Sequence, residues 1–250
     1  MARRHAIAAL ALLSGCAMIE RAPERVVVMT SVTRFSSGEP GEKLPPGWRA
    51  WTVGKYMKAT EYSLVKEDGR TVIRASANAS ASGLSQDVRV DTREFPLLRW
   101  RWKVPELIAG ADNTRRHSED SPVRMIVTFQ GDNSRWSFED RLFASQMKAL
   151  TGYEMPYATL MYIWENRAPV STIITNQYTT RVKMIVAESG NDRVGEWREE
   201  VRNVHEDYKR AFGEDPPLTR SVGIMTDTDN TGEKVHAYYG DISFQRAARP

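Results

Sequence analysis

Residues 96–104 read PLLRWRWKV, and this stretch decides the fold. Every second position is apolar, namely Leu98, Trp100, Trp102 and Val104. The positions between them are basic, namely Arg99, Arg101 and Lys103. Because successive side chains of a β-strand point to opposite faces, this alternation predicts a half-buried strand with one apolar and one charged face.

The same period of two recurs along the chain. SPVRMIVTF, residues 121–129, has apolar residues at every second position and a polar outer face. Residues 61–77, EYSLVKEDGRTVIRASA, predict a hairpin, since Glu67-Asp68-Gly69 supplies the residues of a tight turn between two alternating runs. Further strands are predicted at 26–35, 84–90, 158–165, 171–175, 181–187, 197–203, 220–226 and 235–244.

Two stretches interrupt the strands with helical spacing. Residues 136–152, WSFEDRLFASQMKALTG, repeat apolar residues every three or four positions and end on Gly152; residues 204–214 predict a second short helix ending near Gly213. The sequence thus predicts a mainly β fold, a two-sheet antiparallel β-sandwich of the jelly-roll type with one or two short inserted helices. No linker or repeat divides the chain, so residues 26–245 are expected to form a single domain.

The N-terminus carries the features of an export signal. Arg3 and Arg4 precede an apolar run at 6–13, which predicts a signal peptide over residues 1–15. Residues 13–16, LSGC, match the bacterial lipobox, in which the cysteine is lipidated, so Cys16 is the expected anchor and 16–25 the tether. Ala17 stands where an aspartate retains such lipoproteins in the inner membrane. The expected location is therefore the cell envelope, on the outer membrane and facing the periplasm, with the membrane as a partner through Cys16.

Composition excludes several classes of function. The signal peptide holds two arginines and no acids, so the 35 Lys and Arg become 33 against 32 acids, and this balance gives no basis for nucleic-acid binding. Cys16 is the one cysteine, which excludes an intrachain disulfide and a zinc site built on several cysteines. The chain has no phosphate-binding Gly-rich loop, nucleophile elbow or His-Glu-x-x-His motif, and no cofactor is evident.

Acidic and aromatic residues remain as the material for a site. Glycoside hydrolysis needs two carboxylates across a sugar bond, and Asp120, Glu165 and Asp227 are the candidates for acid and base; the alternative is that they are ordinary acids at strand ends. Aromatic rings stack on sugar rings or fill a sandwich core, and the sequence leaves both open. The ten rings considered are Trp100, Trp102, Trp136, Trp164, Trp197, Tyr157, Tyr162, Tyr178, Tyr238 and Tyr239.

Near the C-terminus, Asp227-x-Asp229 resembles the first half of a calcium loop. The residue at the position of the bidentate glutamate is Tyr238, so an EF-hand is excluded. A looser Ca²⁺ site of Asp227 and Asp229, completed by Asp241 or Glu233, stays open. Its alternative is a hairpin loop whose side chains bond their own backbone.

Six segments together resemble a bacterial family described as domain of unknown function 3047. They are ASGLSQDVRVD, PLLRWRWKVP, SEDSPVRMIVTF, YIWENRAPVST, WREEVRNVHEDYKRAFGEDPP and GIMTDTDNTGEKVHAYYGDISF, which span about residues 45–244. The resemblance brings no activity, but it implies polar and aromatic site positions within these segments. Those implied to bind ligand are Arg124, Trp164, Asn166, Tyr178, Arg181 and Asn230. In addition, Tyr239-Gly240-Asp241 is similar to the end of the last strand in concanavalin-like and galactose-binding-like jelly rolls. This similarity adds Tyr239 to the implied ligand contacts.

Three functions are consistent with these features. The first is a lipid-anchored envelope protein that binds a carbohydrate on one sheet of its sandwich. The second is a glycan hydrolase or lyase that uses paired carboxylates on the same scaffold. The third is a structural or assembly lipoprotein, in which the aromatic residues fill the core and the loop at Asp227 is only a turn.

Overall fold

The computed structural model of the protein describes residues 31–54 and 56–248. The predicted signal peptide, Cys16 and the tether lie outside these residues and stay predictions. The described residues form thirteen strands. They are β1 (Arg49–Thr52), β2 (Glu61–Glu67), β3 (Arg70–Asn78), β4 (Ala81–Asp87), β5 (Leu97–Lys103), β6 (Ser121–Phe129), β7 (Ala158–Glu165), β8 (Ile173–Thr175), β9 (Val182–Ser189), β10 (Trp197–Asn203), β11 (Thr219–Asp227), β12 (Lys234–Tyr239) and β13 (Ser243–Gln245).

The strands form two sheets. The larger sheet has seven strands in the order β1-β4-β11-β6-β7-β9-β8, and the smaller sheet runs β10-β5-β12-β3-β2 with β13 paired to β5. Among the described strand pairs, β7 and β9 are parallel and all others are antiparallel. The parallel pair arises because β9 lies between β7 and β8, so that it is antiparallel to β8 and parallel to β7.

The core lies between the two sheets. Leu98, Trp100 and Trp102 of β5 are at most 1% exposed and point into it, while Arg99 on the other face of the strand is exposed. Buried residues of the larger sheet, among them Val127 and Leu160, pack against them. The alternation in residues 96–104 therefore gives the face directions correctly, and the predicted β-sandwich with inserted helices is confirmed.

Both predicted helices are present, as α1 (Phe138–Thr151) and α2 (Val204–Phe212). Each begins at a side chain that accepts from a backbone N–H, Ser137 from Asp140 and Asn203 from Glu206, and each ends at a glycine in the left-handed conformation. No helix in the described part of the chain is long and apolar enough to cross a membrane. The apolar side chains of α1 are largely exposed, at 68% for Phe138 and 70% for Leu150.

The turn of the predicted hairpin is also confirmed. Asp68 and Gly69 join β2 to β3 with φ values of 48° and 77°, the left-handed conformation of a tight hairpin turn. Glycine has no Cβ and is unstrained in that conformation, and Asp tolerates it better than most other residues.

Several strand predictions need correction. In β6 the outer face was expected to be polar and open, but Arg124 and Ile126 are buried because β6 lies in the middle of the larger sheet and neighbouring side chains cover it. Residues 31–34 of the predicted strand 26–35 have no regular structure, and a 3₁₀ turn follows at Phe35–Ser37. The run 235–244 is two strands, β12 and β13, and β1 was not predicted.

Candidate functional site

A buried ion pair joins two strands of the larger sheet. Arg124 of β6 and Asp227 at the end of β11 are 2% and 4% exposed. Arg124 Nε donates to Asp227 Oδ1 at 2.8 Å and Nη2 donates to Oδ2 at 2.9 Å, while Nη2 also donates to the carbonyl of Glu119 at 2.8 Å. Ser121 N donates to Asp227 Oδ1 at 3.1 Å. The pair is thus bidentate and held from several sides.

Burial and mutual attraction act in opposite directions on the pKa values of both groups of this pair. Burial lowers the pKa of Arg124, but the attraction of Asp227 outweighs it and the net change is upward. Burial raises the pKa of Asp227 to about 6, against the attraction of Arg124. A charge pair this deeply buried is kept only if each partner satisfies the other. The contacts are therefore those of a structural tie between β6 and β11.

The other two carboxylates predicted as acid or base also bond the chain itself. Asp120 is fully buried and accepts from the backbone N–H groups of Thr231 at 2.7 Å and Asn230 at 3.3 Å. Glu165, 2% exposed, accepts from the backbone of Arg167 and Ala168 and so closes the turn after β7. The structure does not support Asp120, Glu165 and Asp227 as a catalytic pair, because none of them presents a free oxygen to solvent.

The structure brings together a different set of acids from the one predicted for the calcium site. Asp120, Asp227 and Asp229, here called the acidic triad, each place an oxygen within 4.8 Å of the others. Asp241 is not among them, since its carboxylate accepts from Ser36 N at 2.9 Å and Ser36 Oγ at 2.5 Å beside the smaller sheet. That part of the metal prediction is wrong, because Asp241 follows β12 of the smaller sheet whereas the triad lies at the end of the larger one.

Arg124 already supplies positive charge to the acidic triad. Asp227 uses both carboxylate oxygens on Arg124, and Asp120 uses both on backbone N–H groups. Asp229 is half-buried, and burial together with the charge of Asp120 raises its pKa. A divalent cation would have to compete with these internal bonds, so the loop alternative has the stronger geometric support.

The residues implied to bind ligand are scattered. Trp164 and Tyr239 are 1% and 0% exposed, so their prediction as ligand contacts is corrected: neither ring has a face open to a ligand. Tyr239 instead uses its hydroxyl inside the core, donating to the carbonyl of Met225 at 2.6 Å. Asn166 ties down a loop by donating to the carbonyls of Ile108 at 2.7 Å and Ala111 at 3.0 Å.

The remaining three implied positions also make internal contacts. Arg181 donates to Glu214 at 3.0 Å and stacks on Tyr157 at 4.3 Å. Asn230 is exposed and bonds Asp120. Tyr178 is 44% exposed, and its hydroxyl accepts from Arg116 Nε at 2.7 Å. Of this set, only Asn230 and Tyr178 reach the surface without heavy burial.

Burial divides the ten aromatic residues into two groups. Seven are core residues with exposed fractions of 6% or less, namely Trp100, Trp102, Trp136, Trp164, Tyr157, Tyr162 and Tyr239. Three are partly or largely exposed, namely Trp197, Tyr178 and Tyr238. Only the second group can present a ring to a ligand.

Two of the exposed rings are neighbours on the outer face of the smaller sheet. Lys103 of β5 lies directly opposite Trp197 of β10 on one side and opposite Tyr238 of β12 on the other. Directly paired residues share a face, so all three side chains point away from the core. The ring centroids of Trp197 and Tyr238 are 6.4 Å apart. These two rings are here called the aromatic platform.

The turn between β2 and β3 fixes the aromatic platform. Asp68 accepts from Trp197 Nε1 at 2.8 Å and from Lys103 Nζ at 3.2 Å, and Glu67 accepts from the same ammonium at 2.8 Å. The bond from Trp197, followed by that from Lys103, lowers the pKa of Asp68. The indole and the ammonium are therefore held in place before any ligand arrives.

Beside the platform the same face forms a groove of about 380 Å³. Its lining includes Arg34, Arg70, Arg99, Arg101, Glu199 and Asp241. The charged face of residues 96–104 is visible in the sequence, but its role is not. Alternation gives the direction of a side chain and does not show its neighbours on other strands. Trp197 was recognised only as one ring among ten.

Comparisons with known proteins agree with the sequence resemblance. The family described as Protein of unknown function (DUF3047) matches residues 46–243. No curated protein sequence matches this chain.

Solved structures show a distant likeness. The family 11 carbohydrate-binding module of the cellulase Lic26A-Cel5E of Clostridium thermocellum is similar over 90% of this chain and 98% of its own, at 9% identity and a TM-score of 0.46. The xyloglucanase domain of NopAA from Sinorhizobium fredii is similar over 86% and 100%, at 7% identity and a TM-score of 0.43. Endoglucanase 3 of Trichoderma harzianum is similar over 90% of this chain and 100% of its own, at 6% identity and a TM-score of 0.41.

At such identities these structures carry no information about ligands or activity. The family match is of a different kind, because it extends over most of the sequence, including β5, β6 and the segment from β11 to β12. This chain belongs to the family described as Protein of unknown function (DUF3047).

Proposed function

We propose that this protein is a lipid-anchored carbohydrate-binding protein of the bacterial envelope and that its ligand rests on the aromatic platform. The observation that carries the proposal is the pairing of Trp197 and Tyr238 on one open sheet face, with ring centroids 6.4 Å apart. An aromatic face gives an apolar surface for the C–H groups of a sugar ring. The two rings are tilted by 53° to each other and the Arg101 guanidinium lies over one face of the indole, so the other face of Trp197 and the Tyr238 ring are the surfaces left for sugar units.

Polar groups around the platform suit the hydroxyl groups of a sugar. Lys103 Nζ lies 5.9 Å from the Tyr238 ring, and the guanidinium carbon of Arg101 lies 4.3 Å from the Trp197 ring. His236 meets Tyr238 edge-on at 5.8 Å. A few fixed polar groups around an apolar surface are the usual composition of a small-molecule site, because they set the orientation of the ligand.

The enzyme alternative has less support. Its three carboxylates are buried and bonded to the chain, and the acids at the platform, Glu67 and Asp68, are bonded to Lys103. Rings on an open face hold a sugar chain without bending or breaking it. The geometry therefore favours binding over cleavage.

The envelope location rests on the N-terminal sequence, with its basic residues, apolar run and lipobox ending in Cys16. Labelled palmitate should enter the wild-type protein, and Cys16→Ser should remove both the label and the protein from the membrane fraction. A Cys16→Ser protein that stays membrane-bound would count against lipid anchoring.

Glycan binding is tested by titrating the full-length protein in detergent with a panel of envelope and storage oligosaccharides. Trp197→Ala is expected to weaken binding by about tenfold or more, since stacking of a large ring is worth roughly 1.5 kcal/mol beyond solvation. Tyr178→Ala removes an exposed ring outside the platform, and an equal loss of binding in that variant would contradict a site on the platform. If no oligosaccharide binds at millimolar concentration, the assembly function gains in its place.

A further inference from the structure

Four arginines converge on the groove beside the aromatic platform. Arg34 precedes the first 3₁₀ turn, Arg70 opens β3, and Arg99 and Arg101 lie on the outer face of β5. Two carboxylates, Glu199 and Asp241, line the same groove. Four guanidinium groups against two carboxylates leave two positive charges in excess. Such an excess in a concave surface attracts anions.

Three of the four guanidinium groups are also open to a ligand. Within residues 31–54 and 56–248, none of the four makes an ion pair or a side-chain hydrogen bond, and three of them, Arg34, Arg70 and Arg99, are exposed. Asp241 is engaged by Ser36 instead. Burial, together with the repulsion from Arg70, lowers the pKa of Arg101, although Asp241 and Glu199 act in the opposite direction. The groove thus holds several positive charges near one another, and their N–H groups remain available to an anionic ligand.

Arg101 connects the groove to the platform. Its guanidinium carbon lies 4.3 Å from the Trp197 ring centroid, and it lines the groove as well. Gly240 makes room for this side chain, because a Cβ at that position would lie 2.5 Å from both Cγ and Nε of Arg101. One guanidinium therefore reaches both a surface for a sugar ring and a group of cations.

We propose that the platform and the groove form one site for an acidic saccharide, with a sugar ring on Trp197 and Tyr238 and its anionic groups on Arg70, Arg99 and Arg101. This inference rests on the proposed glycan-binding function and names the class of glycan. Guanidinium groups bind carboxylates through paired, charge-assisted hydrogen bonds, which suits a uronic acid. Sulfate and phosphate groups share this anionic chemistry, and the test separates them.

The experiment measures dissociation constants of the full-length protein in detergent at fixed ionic strength. The ligands are uronate oligosaccharides, the methyl esters of the same oligosaccharides, a sulfated oligosaccharide and inorganic phosphate. The esters keep the rings and remove the charge. The variants are Trp197→Ala, the double variant Arg70→Gln with Arg99→Gln, and Arg220→Gln, which removes an exposed arginine of β11 in the larger sheet, away from the platform and the groove.

An acidic oligosaccharide is expected to bind about tenfold or more tightly than its neutral counterpart, because 1.4 kcal/mol of charge-assisted bonding is a factor of ten. This preference should vanish in the double arginine variant, persist in Arg220→Gln and fall with added salt. The tighter of the uronate and the sulfated ligand identifies the anionic group.

The negative outcomes are distinct. Equal binding of acid and ester overturns the acidic-saccharide inference and leaves the proposed function intact. Binding of neither overturns the acidic-saccharide inference, and the proposed function is overturned as well only if the wider oligosaccharide panel also fails to bind. If phosphate competes fully and Trp197→Ala changes nothing, the groove is a simple anion site, and the joint site with the platform is refuted.

Discussion

Replacing Asp227 by asparagine leaves the guanidinium of Arg124 buried without its carboxylate. Two charge-assisted hydrogen bonds, at 2.8 and 2.9 Å, lose their charge. Breaking a buried pair by neutralising one partner costs about 3–5 kcal/mol, mostly because the remaining charge cannot reach water. Urea unfolding should therefore show a loss of that size, and the melting temperature should fall by roughly 10 °C for a chain of this length.

The chain offers a matched control for this change. Arg49 and Asp87 form an ion pair between β1 and β4 of the same sheet, but both side chains are 58% exposed. Asp87→Asn should cost less than about 1 kcal/mol, because water screens an exposed pair. The double variant Arg124→Met with Asp227→Leu should lose less than Asp227→Asn, since it leaves no unpaired charge. Equal losses for Asp227→Asn and Asp87→Asn would refute the structural role of the buried pair.

Three further predictions concern metal, pH and the groove. Calcium should leave the melting temperature unchanged, because Asp227 already uses its oxygens on Arg124 and Asp120 on backbone N–H groups; a rise that a chelator reverses would contradict this. Burial, with Glu188 adding to it, raises the pKa of Glu200 from 4.5 to about 7. The native state then holds this proton more tightly than the unfolded chain, so the unfolding free energy should fall by about 1–3 kcal/mol as the pH rises from below 4.5 to above 7. Urea titrations at pH 5 and pH 8 measure this dependence of the unfolding free energy on pH, and Glu200→Gln should make it smaller. An unchanged slope in that variant would disprove the assignment. Gly240→Ala should displace Arg101 and weaken acidic-ligand binding by about tenfold while costing only a few degrees in melting temperature, and unaltered affinity would show that Arg101 is not a contact.

The strands were predictable because each one carries its own pattern. β7 and β10 begin and end at the predicted residues, and the apolar face of β5 is the buried one. Alternation is a local property, so a single stretch of sequence is enough to reveal it. β1 escaped because four residues, Arg49–Thr52, are too few to show a period.

The candidate sites were less predictable because they depend on pairing between distant strands. Arg124 and Asp227 are 103 residues apart, and nothing near either one indicates the other. A partly polar strand such as β6 therefore resembled a surface strand, although its arginine is neutralised from β11 and fully enclosed. Asp120 was proposed for catalysis for the same reason, since its backbone partners Asn230 and Thr231 lie 110 and 111 residues further along the chain.

The segment Tyr238–Asp241 shows how one short sequence serves both faces of a sheet. Tyr239 points inward and bonds Met225 in the core, whereas Tyr238 points outward to the platform. Gly240 then admits Arg101 against the sheet, and the next residue, Asp241, holds Ser36 at the edge of the groove. Because these residues are consecutive in one strand and its exit, a change that shifts Tyr239 in the core also shifts the ring and the guanidinium outside. Tyr239→Phe, which keeps the ring but removes the bond to Met225, should therefore lower stability and leave glycan affinity nearly unchanged, while larger changes at that position should lower both together.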